Sequence, residues 1–112
     1  MPIHLIRASA SAEQVAEMLE TLGDYIKLAV DIDRQVLAGG GALHADCEAV
    51  LLEAGSRQES IWGADWVPSS RCVYFEALIN LRPGQQNMSM TIEDPEVRKS
   101  IERIARALLG GE

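Results

Sequence analysis

At 112 residues, 47% of them hydrophobic, the chain is long enough to bury one core and too short for two. Its 24% charged content argues against disorder, and no apolar run approaches the roughly 20 residues needed to cross a bilayer. Ten Lys and Arg against 17 Asp and Glu leave a net charge of -7, which repels a phosphate backbone, so one soluble domain that binds neither nucleic acid nor membrane is expected.

The opening Met1-Pro2-Ile3-His4-Leu5-Ile6 has neither the basic start nor the long apolar stretch of a secretory signal, and a cytoplasmic location follows as the expectation. Residues 12 to 22 then set Val15, Met18, Leu19 and Leu22 at the spacing that gathers apolar side chains on one helical face. Ser11 is a fit N-cap, Gln14 can complete a capping box, and Gly23 supplies a left-handed stop. Residues 25 to 32 alternate, with Ile26, Leu28, Val30 and Ile32 on one side, which predicts a half-buried strand. Asp33-Arg34 turns it into a short returning strand over 35 to 38, and this runs into Gly39-Gly40-Gly41. The glycines read as backbone freedom in a hairpin or bulge, because no Gly-Lys-Ser/Thr follows to make a phosphate loop.

Residues 45 to 53 admit two readings: Ala, Leu and Glu favour a helix, whereas Val50-Leu51-Leu52 suits a buried strand. The turn-like Glu53-Ala54-Gly55-Ser56 decides for a strand, followed by a second extended stretch over 58 to 67 in which Trp62 and Trp66 share a face and pack. Beyond the Pro68 loop, residues 73 to 81 alternate cleanly and predict another strand, and 83 to 89 form a polar loop. Asp94-Pro95 starts a helix carrying Val97, Ile101, Ile104, Ala105 and Leu108 in one stripe, closed by Gly110. The fold class that results is α+β: an antiparallel sheet of about five strands with the N- and C-terminal amphipathic helices packed on one face. The other face is then bare and polar.

On that bare face an extended backbone would point His44, Asp46 and Glu48 the same way, about 7 Å apart. An imidazole with two carboxylates suits zinc, manganese or iron, with Asp31, Asp33 or Glu59 completing the ligand set. The same trio could serve as a general acid and base. No nucleophile elbow surrounds Ser56, Ser60 or Ser89, so serine hydrolysis is unsupported. Asn80 and Arg82 stand where a strand enters an amide-rich loop, groups that bind carboxylate or phosphate when they converge. Cys47 and Cys72 lack the spacing of a zinc knuckle or a disulfide framework and read as small thiols of the interior. The leading functional reading is a binding or interaction domain presenting His44, Asp46, Glu48, Gln58, Asn80 and Arg82 to an unknown small molecule or protein. The alternative is a metal-assisted hydrolase with His44, Asp46 and Glu48 as ligands of a divalent ion and a bound water as nucleophile. A third reading is a homo-oligomer joined through an exposed sheet edge.

Gly40-Gly41, Leu43-His44-Ala45-Asp46, Glu48, Val50-Leu51-Leu52-Glu53 and Gly55-Ser56 carry the first half of a family resemblance. Gln58, Ile61-Trp62-Gly63, Ile79-Asn80-Leu81-Arg82-Pro83, Asn87 and Asp94-Pro95 carry the rest. In these the chain resembles a small bacterial family of uncharacterised proteins, a domain of unknown function. The resemblance implies bacterial origin and one compact domain, and brings no reaction, ligand or partner with it. Cys47, Ala54 and the loop from Ser69 to Cys72 stand outside the matching residues.

Overall fold

The computed structural model describes residues 3 to 111, so Met1 and Pro2 of the opening segment lie outside the described residues. Among the described residues five strands form one sheet: β1 (His4–Ile6), β2 (Ile26–Asp31), β3 (Val36–Gly39), β4 (Ile61–Val67) and β5 (Cys72–Tyr74). Their order is β1-β3-β2-β4-β5, and every neighbouring pair is antiparallel. Among the described residues three α-helices complete the fold: α1 (Ala12–Leu19), α2 (His44–Glu53) and α3 (Pro95–Leu109).

Local chemistry explains the elements that sequence reasoning placed well. The Ser11 hydroxyl accepts from the Gln14 amide at 3.1 Å while the Gln14 side-chain oxygen accepts from the Ser11 amide at 3.0 Å, a complete capping box ahead of α1. Gly23, at φ +87, returns its amide to the Leu19 carbonyl at 2.7 Å. Asp94 caps α3 by accepting from the Glu96 amide at 2.9 Å, and Pro95 occupies the first turn, where no amide is needed. At the β2–β3 turn, the Asp31 carboxylate accepts from the amides of Asp33 and Arg34, each at 2.9 Å, so the turn is closed by a buried side chain.

Alternation along the strands divides the interior in two. Ile26, Leu28 and Val30 of β2 join Leu37, Trp62, Ala64 and Trp66 in the larger core, together with Met18 of α1 and Ile101, Ile104 and Ala105 of α3. Ala29, Ala38 and Ile61 point the opposite way and pack with Cys47 and Leu51 of α2. The face expected to be bare therefore carries a helix. Residues 45 to 53 are helical because Cys47 and Leu51, one turn apart, fit over the small side chains of Ala29 and Ala38. The tetrapeptide 53 to 56 ends that helix instead of turning a hairpin. Gly55 takes φ +99, its amide bonds the Leu52 carbonyl at 3.1 Å, and the Ser56 amide reaches the Leu51 carbonyl at 2.9 Å.

A second correction concerns residues 73 to 81. Only Cys72–Tyr74 pairs with β4, after which Glu76 bridges to Thr91 and Leu78–Asn80 forms a 3-10 turn. The cause is Gly63: a Cβ there would lie 2.5 Å from that of Ala77, so the chain lifts off the sheet and lays Ala77 and Ile79 against the bare glycine. The strand count of five is retained with a different membership, since β1 enters at the edge beside β3 and residues 45 to 53 leave.

Candidate functional site

At 100° per residue, helix α2 carries His44 and Glu48 on one face and turns Asp46 away from them. The trio does not converge, and among the described residues no group of three or more His, Cys, Asp or Glu side chains is placed to hold a metal ion. Asp33, considered as a further ligand, accepts from the Ser60 hydroxyl at 2.5 Å, and Glu59 pairs with Arg57.

His44 faces β4 instead. Its Nε2 lies 2.8 Å from Asp65 Oδ1 and 3.1 Å from the Ala64 carbonyl. Both partners only accept, so Nε2 carries a proton and donates it to them. This pair decides the state of a neighbour. Lys27 stands directly opposite Asp65 in the β2–β4 register, where opposite charges ordinarily attract. With Asp65 taken by His44, the Lys27 ammonium has no ion-pair partner among the described residues.

Lys27 and His44 line a cleft of about 350 Å³. One wall is the start of α2, with Leu43 and Ala45, and the other is residues 76 to 79 with Met90. Leu43, Leu78 and Met90 are 58%, 70% and 49% exposed, so the rim is apolar and open. Leu43 also serves as N-cap of α2 without a side-chain acceptor, leaving the positive end of the helix uncapped beside this opening.

A second hollow of about 340 Å³ lies on the far side of Leu78 and Ile79, lined by Glu48, Gln58, Arg82 and Gln85. Four of the six residues singled out from sequence thus border the two hollows, His44 on the first and Glu48, Gln58 and Arg82 on the second. The guanidinium of Arg82, however, is committed inward. It donates to the Ile79 carbonyl at 2.8 Å and the Gln58 carbonyl at 2.9 Å, reaches Glu48 at 3.4 Å, and lies over the Trp62 ring at 4.8 Å. Arg82 and Glu48 are only 10% and 12% exposed. Burial pushes the guanidinium pKa below its ordinary value, and Glu48 partly offsets this.

Asn80 is wholly buried and reaches neither hollow. Its side chain accepts from the Gly63 amide at 2.7 Å and donates to the Gly63 carbonyl at 2.9 Å, standing in for a strand where β5 has ended. Asn87 in turn donates to the Asn80 carbonyl at 2.7 Å. Cys47 is buried as expected, and desolvation raises its thiol from 9.0 to about 11, so it is a packing group and not a nucleophile.

Residues 4–108, from β1 into the last turn of α3, match the family described as protein of unknown function, DUF5674. The chain belongs to DUF5674. Both hollows of this DUF5674 chain fall inside the matched span. None of the curated proteins matches the chain, and none of the solved structures does. Among the described residues no helix is long and apolar enough to cross a membrane.

Sequence reasoning missed Lys27, Asp65, Glu76, Leu78 and Met90. Lys27 and Asp65 are visible as polar residues in otherwise apolar strands, but that they stand opposite one another is a property of strand order. Leu78 reads as a strand residue and Met90 falls between the polar loop and the last helix, so neither is placed at a cleft until the chain leaves the sheet at Ala77.

Proposed function

We propose that the chain is a single binding domain whose ligand sits in the cleft between the start of α2 and residues 76 to 79. One observation carries this reading: Leu43, Leu78 and Met90, three of the most exposed large apolar side chains, meet at the mouth of one concave opening. Exposed apolar groups scattered singly need no explanation, whereas a set that rims a cleft with a few polar groups at its base is the usual form of a ligand site. In this reading α1 and α3 together cover the opposite sheet face, which leaves the α2 side for entry. The site residues are then His44 and Lys27 with the apolar rim, while Glu48, Gln58, Asn80 and Arg82 hold the wall in place. A cytoplasmic location is part of the proposal, supported by two cysteines that remain unpaired.

The test is a titration of the isotope-labelled chain with 4-methylpentan-1-ol, a neutral probe of the cleft. Amide resonances of residues 43 to 45 and 76 to 79 should shift together and saturate in the millimolar range. The double variant Leu78→Ser, Met90→Ser, altering two exposed side chains, should fold normally and lose the response. Absence of shifts, or shifts centred on another face, would overturn the assignment.

A further inference from the structure

Two opposite charges that form no ion pair among the described residues border this apolar cleft. Lys27 is one, freed by the capture of Asp65 by His44. Glu76 is the other: it lies at the mouth, opposite the start of α2, and its carboxylate forms no ion pair among the described residues. The remaining lining is apolar apart from His44. A ligand that matches this lining carries one negative group, one positive group and an apolar body. A plain carboxylate would face Glu76 uncompensated, a plain amine would face Lys27, and a neutral hydrocarbon would leave both charges to be desolvated without recompense.

Resting on the binding reading above, we infer that the occupant is an aliphatic or aromatic α-amino acid held as a zwitterion. Its carboxylate lies toward Lys27 and the uncapped end of α2, and its ammonium toward Glu76. The side chain lies among Leu43, Leu78 and Met90. Size permits this: a cleft of about 350 Å³ has room for an amino acid as large as leucine or phenylalanine. The overall negative charge of the chain does not decide the matter, because the groups at the cleft act at contact distance, inside the screening length of about 8 Å that mutes the rest.

The experiment compares four probes by calorimetry and by the same amide resonances: leucine, 4-methylpentanoate, 3-methylbutylamine and 4-methylpentan-1-ol, with phenylalanine run beside leucine. Leucine or phenylalanine should bind at least tenfold more tightly than each of the three analogues. Lys27→Met should reduce the affinity for the amino acid to that for the amine and leave amine binding no weaker. Glu76→Gln should reduce it to that of 4-methylpentanoate and leave binding of that acid no weaker. Equal affinity for the amino acids and the alcohol, or indifference to both substitutions, would overturn the zwitterion and leave the cleft standing. Failure of all probes to bind the unaltered chain would overturn the inference and the binding reading together.

Discussion

Asn80 offers the sharpest test of how the cleft wall is held. The Gly63 amide and carbonyl point toward a place where β5 no longer runs, and the Asn80 side chain meets both, at 2.7 and 2.9 Å. Asn80→Ala orphans two buried backbone groups. At about 1.5 kcal/mol each, the loss is about 3 kcal/mol, a large part of the 5–15 kcal/mol that ordinarily holds a domain together. The longer bonds to the Phe75 and Met90 carbonyls, at 3.4 and 3.3 Å, add little. With a urea slope of about 1.5 kcal/mol per molar, the unfolding midpoint should fall by about 2 M, followed through the fluorescence of buried Trp62 and Trp66. Asn80→Asp should be at least as damaging at neutral pH, because a carboxylate turns oxygen toward three carbonyls that now receive a donor. A midpoint drop under about 0.5 M for Asn80→Ala at unchanged slope would show that the amide does not stand in for a strand.

Three other outcomes follow from the same structure. Arg82→Met leaves Glu48 buried without its partner and should cost about 2–4 kcal/mol in denaturant unfolding, and adding Glu48→Leu should recover at least about 1 kcal/mol; strictly additive losses would refute the coupling. Cys47 has a folded pKa raised to about 11 from 9.0, so its contribution is whole below pH 9 and is lost as the unfolded thiol ionises first, by about 1.4 kcal/mol per pH unit up to about pH 11. Cys47→Ala should flatten that part of the stability profile relative to the parent, and an identical slope in both proteins would contradict the assignment. Gly63→Ala puts a methyl group 2.5 Å from the Ala77 Cβ and should destabilise by about 1–3 kcal/mol, with Ala77→Gly restoring most of it; no recovery in the double variant would mean that the clash lies elsewhere.

Why some of this was legible from sequence and some was not has a physical answer in particular residues. Helices α1 and α3 announce themselves because each has one buried stripe and a side-chain cap, and the β2–β3 hairpin because its alternation and Asp-rich turn are local. Helix α2 hides because exposed Ala45, Ala49 and Leu52 spread apolar character around it, and its N-cap is Leu43, which caps nothing. The local clue is the Schellman pattern at Gly55, whose composition equally suits a hairpin turn. The strand reading of 73 to 81 fails for a non-local reason, since Gly63, remote in sequence, lets Ala77 leave the sheet. The six residues expected on one sheet face are dispersed for the same two reasons: His44, Asp46 and Glu48 lie on α2, Gln58 and Arg82 border the second hollow, and Asn80 is buried support.

The order of the sheet also bears on how the chain is made. β2 lies at its centre, and β3 covers one of its edges after a short turn, but the other edge waits for β4, which begins only at Ile61. At a synthesis rate of about 5–20 residues per second, the growing polypeptide carries an uncovered β2 flank for some seconds while α2 is still emerging. The period of greatest aggregation risk thus falls before the native state exists, and changes that delay α2 would depress the yield of product from the ribosome even where the finished molecule is sound.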